Sequence, residues 1–128
     1  MEFNFYNPNP NGIKTGDCVI RALIMASDGF DWDSVYKMVC DIGFAEKVMP
    51  NDDKVWRKVL TDKFGYKYNA LPAVKGKQRM TVQKFTETHK TGTYVLRLAN
   101  HIVTVRGGQF HDTWNCADCC VYGYYSKD

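Results

Sequence analysis

The chain has 128 residues, 17 Lys+Arg against 14 Asp+Glu, 45% hydrophobic and 14% aromatic residues. At ~100–200 residues per domain this predicts a single domain over residues 1–128 with a real core, and it excludes a disordered or low-complexity chain. No apolar run approaches the ~18–20 residues of a membrane span, so no membrane partner is expected, and the polar, Asn/Pro-rich stretch Met1–Asn11 does not read as a secretory signal.

The net charge of +3 is too small to name a partner, but it is unevenly spread. From Lys67 to Arg106 the basic residues Lys67, Lys75, Lys77, Arg79, Lys84, Lys90, Arg97 and Arg106 face Glu87 alone. Such a run reads either as a solvated flank or as a surface that attracts an anionic substrate or partner. Five cysteines is an odd count, which argues against a closed disulfide framework and for a reducing, cytoplasmic setting.

In chain order, Asn7-Pro8-Asn9-Pro10-Asn11-Gly12 is a turn-rich lead-in. A first helix is predicted from Asp17 to about Ser27, with Asp17 as its cap and Val19, Ala22, Leu23 and Ala26 as a buried stripe. Its apolar residues lie on most sides, so it should be central. Asp31 or Asp33 caps a second helix to about Ile42, with Val35, Met38, Val39 and Ile42 inward and Gly43 ending it. Asp52 or Asp53 opens a third, with Val55, Trp56, Val59 and Leu60 inward, ending near Gly65. Tyr66 to Leu71 reads as a short strand, Pro72 to Met80 as a basic loop. Thr81 caps a short fourth helix carrying Val82, Phe85 and His89 on one side.

After Gly92 the hydrophobic period changes from 3.6 to 2. Tyr94–Leu98, His101–Arg106, Gln109–Trp114 and Val121–Tyr125 read as strands, with Gly107-Gly108 as a two-residue hairpin turn. Helices first and an antiparallel sheet second is an α+β pattern.

The hairpin fixes the register. With Gly107 and Gly108 as the loop, His101, Val103, Val105, Phe110, Asp112 and Trp114 share one sheet face, and Asp112 is the diagonal neighbour of His101. The helices are the available cover for that face, so His101 and Asp112 should be half-buried and hydrogen-bonded to each other. Trp114 is expected in the core beside them. Cys18 sits at the start of the central helix, where the dipole and free N–H groups favour a thiolate. A helix-start Cys, a strand-start His and a carboxylate on the next strand suit nucleophilic acyl transfer. Asn115 is the alternative third residue, and a bulge would select it. Arg21, one turn after Cys18, suits an ion pair or a substrate carboxylate.

Cys116, Cys119 and Cys120 with His111 invite a zinc reading. There is no second Cys-x-x-Cys, and adjacent Cys119 and Cys120 make a cramped ligand set, so no metal and no cofactor are expected.

The segments Thr15–Ala22 and Asn100–Val105, with Gly107-Gly108 and His111–Trp114, resemble the papain-like cysteine peptidases of the small bacterial and phage type, akin to those that process bacteriocin leaders. The order Cys, His, Asp matches, as do N-terminal helices packed on a C-terminal antiparallel sheet. The resemblance implies a thiol hydrolase of a peptide or isopeptide bond, acting through a thioester. Cys18 would be the nucleophile, His101 the base and acid, and Asp112 the orienting residue. It also implies a peptide or protein substrate, and a place in the cytoplasm of a bacterium or an infected host cell. The family usually carries a Gln shortly before the Cys; none occurs here, and Asn11, or Asn9, is the substitute for the oxyanion hole. Leu71–Met80 and Gly43–Asp53 are expected to wall the cleft. The alternatives are a catalytically inactive papain-like interaction or inhibitor protein, and a basic-surface nucleic-acid-binding module, which no recognition motif supports.

Overall fold

The computed structural model describes residues 3–13 and 15–127. The chain runs β1 (Phe3–Phe5), α1 (Cys18–Ala26), α2 (Trp32–Glu46), α3 (Asp53–Lys58) continuing as a π-turn (Val59–Lys63), β2 (Lys67–Ala70) and α4 (Val82–Thr88). It then forms β3 (Thr93–Leu98), β4 (His101–Arg106), β5 (Gln109–Asp112) and β6 (Gly123–Ser126). The architecture is α+β, with one six-stranded sheet in the order β1-β5-β4-β3-β6-β2. Among the described residues, no helix is long and apolar enough to cross a membrane.

The sheet is mixed rather than wholly antiparallel. β1 runs parallel to β5, from Phe3↔Phe110 to Phe5↔Asp112. This short strand was not expected. Phe3 packs on Phe110 at 5.4 Å, and Asn4 Nδ2 meets His111 Nδ1 at 3.1 Å, so two side chains hold the edge in register. The turn between β4 and β5 has φ of 62° at Gly107 and 77° at Gly108, the double positive φ that a type I′ turn requires.

Strands β3 and β4 are buried on both faces, and each face has its own core. On one side lie Val95, Ile102 and Tyr125 under α1, α2 and α3, with Leu23, Val35, Val39, Val55 and Leu60. On the other side lie Leu96, Val103, Val105 and Phe110 under Val82 and Phe85 of α4 and the segment carrying Cys116 and Val121. The face that carries His101 is therefore covered by α4 and the C-terminal segment, not by the first three helices. The parity of β4 decides this: Ile102 and Thr104 turn toward α1, where Thr104 Oγ1 donates to Ala22 O at 2.7 Å.

α1 still reaches His101 because of where the β4–β5 ladder stops. That ladder runs from Arg106↔Gln109 only to Thr104↔His111, leaving the first residues of β4 beyond it. The first turn of α1 lies against this end of the sheet.

α2 does not end at Gly43. It continues to Glu46 and closes at Lys47, in the left-handed region with φ 61°. Gly43 is a close-approach residue: a Cβ there would lie 2.9 Å from Val48 O and 3.3 Å from Pro50 Cα. The chain folds back onto the helix at this point and is delivered to Asn51 and α3, which Asp52 caps by accepting from Lys54 N at 2.9 Å. Gly43→Ala gains about 1 kcal/mol of helix propensity and loses about 1–3 kcal/mol to overpacking against backbone. We expect a net loss of about 1 kcal/mol, read as a lower urea midpoint at unchanged m-value.

Candidate active site

Three elements deliver the side chains. Cys18 is the first residue of α1, His101 the first of β4 and Asp112 the last of β5. His101 Nε2 lies 2.6 Å from Asp112 Oδ2, and the Cys18 thiol is hydrogen-bonded to the same imidazole. The backbone N–H of Ile102 also donates to the Cys18 sulfur. The three residues expected to meet are thus together.

Asp112 is fully buried. Its Oδ1 accepts from Arg21 Nη2 at 2.9 Å and from Thr113 N at 2.8 Å. Its Oδ2 accepts from His101 and, at 3.5 Å, from the Cys116 thiol. A carboxylate has about four lone-pair sites, and here all four are used. His101, Asp112 and Cys116 bring ligand atoms within 4.8 Å of one another. With every Asp112 lone pair already committed, the group fits a hydrogen-bonded acid better than a metal ligand set.

Arg21 is a buried bridge. Its Nη1 lies 2.6 Å from Asp17 Oδ1 while Nη2 holds Asp112. Asp17 was expected to cap α1. It occupies the N-cap position, but its side chain makes no capping bond and turns to Arg21 instead. A buried guanidinium between two carboxylates gains more from charge than a backbone N–H at a helix start can offer. This Asp17–Arg21–Asp112 relay was not foreseen as a unit. Its one sequence signal is the i, i+4 spacing of Asp17 and Arg21, which is common on solvated helices.

The titration behaviour follows from this arrangement. Burial alone would lower the His101 imidazole, but hydrogen bonds to Asp112, Cys116 and Cys18, with the Asp112 charge, push it up to about 11. Burial works to raise the Cys18 thiol, yet the bonds from His101 and Ile102 N–H and the charges of His101 and Arg21 outweigh it, so the thiol ionises below its ordinary value. Burial likewise opposes ionisation of Asp112, and the His101 bond, the His101 and Arg21 charges and Thr113 N–H hold it below the usual carboxylate value. Cys116, buried in the second core, has its thiol raised by that burial. Near neutral pH His101 is an imidazolium and Asp112 a carboxylate, and the Cys18 thiol beside them ionises more readily than an ordinary thiol.

Trp114 shields this line without being core. Its ring centroid lies 5.1 Å from that of His101, and it is 47% exposed. β5 ends at Asp112, so strand parity does not carry on to Trp114, and the indole folds over the imidazole from outside.

The thiol and imidazole open into a cleft of about 460 Å³ lined also by Asn51, Asp53, Trp56, Arg97, Asn100 and Tyr122. The segment Gly43–Asp53 contributes Asn51 and Asp53 to this wall. Leu71–Met80 does not line it, contrary to expectation; Tyr122 stands in its place. Asn11 is an exposed turn residue whose N–H bonds to Asn9 Oδ1 at 2.9 Å, and it does not line the cleft. Asn115 is exposed and uses its Oδ1 to accept from Ala117 N at 3.0 Å. Asn51 and Asn100 are the asparagines on the cleft wall; nothing in the local sequence of Asn51 distinguishes it, because the close approach at Gly43 sets its position. All five cysteines are free thiols. Comparisons with protein-family models, with curated proteins and with solved structures each found no match to this chain.

Proposed function

We propose that the protein is a papain-like thiol hydrolase that cleaves a peptide or isopeptide bond. The observation that carries this reading is the Cys18 thiol hydrogen-bonded to His101, whose Nε2 lies 2.6 Å from a fully buried Asp112, at the wall of an open cleft.

The steps follow from the geometry. With Nε2 committed to Asp112, the other ring nitrogen of His101 holds the proton given up by the thiol. The Cys18 thiolate attacks the substrate carbonyl, forming the C–S bond and placing negative charge on the carbonyl oxygen. The Cys18 N–H, in the first turn of α1, points out of the helix start and would donate to that oxygen. His101 then protonates the departing amine as the C–N bond breaks, leaving a thioester. Water attacks the thioester with His101 as base, and the thiol is regenerated as the acid leaves. An amine in place of water would give acyl transfer by the same groups.

The test is selective alkylation. Iodoacetamide at pH 6, followed by peptide mapping, is expected to modify Cys18 well ahead of Cys40, Cys119 and Cys120. A Cys18 no faster than those three overturns the hydrolase reading and leaves an inactive papain-like interaction protein as the alternative.

A further inference from the structure

The cleft continues past the thiol to Arg97, and this end has its own chemistry. Arg97 is the cross-strand neighbour of Ile102, whose N–H binds the Cys18 sulfur, so the guanidinium is rooted one strand from the nucleophile. Gly123 pairs with Arg97 from the other side. A side chain at Gly123 would collide with the Tyr68 ring, so its absence lets Tyr68 cross over the strand. The Tyr68 hydroxyl then accepts from Arg97 Nη1, at a long 3.5 Å. Next to it, Tyr122 donates its N–H to Arg97 O at 2.9 Å and carries the Arg79 guanidinium 4.5 Å from its ring centroid. Arg79 is itself tied to Leu71 O at 2.7 Å.

Among the described residues, neither Arg97 nor Arg79 has a carboxylate within ion-pair distance. Asp53, also on the cleft wall, lies 3.6 Å from Arg57 and is in ion-pair contact with it rather than with Arg97. The cleft thus offers a guanidinium, Arg97, whose side-chain contact is to the neutral Tyr68 hydroxyl and which has no carboxylate in ion-pair contact among the described residues. A guanidinium in that setting matches the planar fork of a carboxylate.

We propose that Arg97 is a specificity residue that binds a carboxylate of the substrate, so that the cleft selects acidic peptides over neutral ones. This rests on the hydrolase reading and gives it a substrate class. It also assigns a use to one member of the basic run between Lys67 and Arg106.

Three thiol-directed probes test it: bromoacetyl-Gly-Gln-amide, bromoacetyl-Gly-Glu-amide and bromoacetyl-Gly-Gln free acid. In each, the Cys18 thiolate displaces bromide, forming a C–S bond as C–Br breaks. A probe with a carboxylate, on the side chain or at the terminus, is expected to modify Cys18 about 10-fold faster than the neutral one at low salt, the size of a charge-assisted bond near solvent. The advantage should shrink with added salt. Arg97→Gln should bring the ratio to about one, and Arg97→Lys should keep part of it. Whichever carboxylate probe gains identifies the side-chain or terminal source. Equal rates for all three probes, or an advantage that survives Arg97→Gln, overturns the proposal. The matching acetyl peptides, titrated by NMR against Cys18→Ala protein, read carboxylate binding without chemistry. An inert Cys18 with intact carboxylate preference in that titration therefore overturns the hydrolase reading alone, and no preference overturns the Arg97 assignment.

Discussion

His101→Ala is expected to slow alkylation of Cys18 at pH 6 by about 10²-fold. An ordinary thiol, with pKa near 8.5, is well under 1% thiolate at that pH. In the native protein the imidazole supplies both the hydrogen bond and the charge that favour ionisation of Cys18 against its burial. Removing the ring leaves the burial, which pushes the thiol up, and the Ile102 N–H and the more distant Arg21 charge, which oppose it. The midpoint of the pH–rate profile should therefore move upward from its native position below the ordinary thiol value. Part of the expected loss is offset because a thiolate of higher pKa is the better nucleophile. The proposed hydrolysis depends on pH with the same sign. Activity rises as pH rises through the lowered Cys18 value and falls only as His101 loses its proton, toward about 11. Iodoacetamide rates from pH 4 to 9 on both proteins check this. Superimposable profiles would remove the imidazole from the mechanism.

Arg21→Met should cost about 3–5 kcal/mol of stability, the usual result of removing one partner from a buried ion pair. The substitution keeps volume and helix propensity but strands two carboxylates. Asp17 and Asp112 would be left in a space where Asp17 Oδ2 already lacks a partner. Arg21→Lys should recover little, since one ammonium cannot span Asp17 Oδ1 and Asp112 Oδ1 as the two guanidinium nitrogens do. Adding Asp17→Asn to Arg21→Met should return part of the loss, giving a non-additive double mutant. Urea unfolding of the native protein, Arg21→Met, Arg21→Lys, Asp17→Asn and the double variant measures this. A loss below about 1 kcal/mol, the range of exposed ion pairs, would mean that the relay is a surface feature. The kinetic consequence is separable: Asp112 would keep its bond to His101 while losing the guanidinium that fixes its other oxygen, so kcat should fall with little change in KM.

The sequence made the Cys18–His101–Asp112 line legible because a hairpin with a two-glycine turn allows one register, and strand parity then sorts every side chain. The same parity misled at Trp114, because β5 stops two residues earlier. Helix existence was readable from apolar stripes such as Val35 and Val39. Gly43 was misread because a glycine after such a stripe looks like a helix end, while its actual role is to admit the backbone of Val48 and Pro50. Asp17 was misread for a related reason: its local preference as a cap is real, but Arg21 and Asp112 compete for it from a distance that local signals do not register. β1 carries only Phe-Asn-Phe, too short for a period to show, and its partner lies at the far end of the chain. The assignment of faces to helices depended on which side of β4 each helix crosses, and composition does not encode that.

The strand order has a consequence for biosynthesis. β1 and β2, made early, form the two edges of the sheet, and β3 to β6, made late, fill its interior. Asn4 and His111, which meet across the β1–β5 edge, are 107 positions apart in the chain. Pairings of such long range form slowly and late. On the ribosome, the emerging helix bearing Cys18 is therefore an ordinary thiol peptide. His101, which favours ionisation of the Cys18 thiol, follows it by 83 positions, so that influence is absent until β4 has been made and paired.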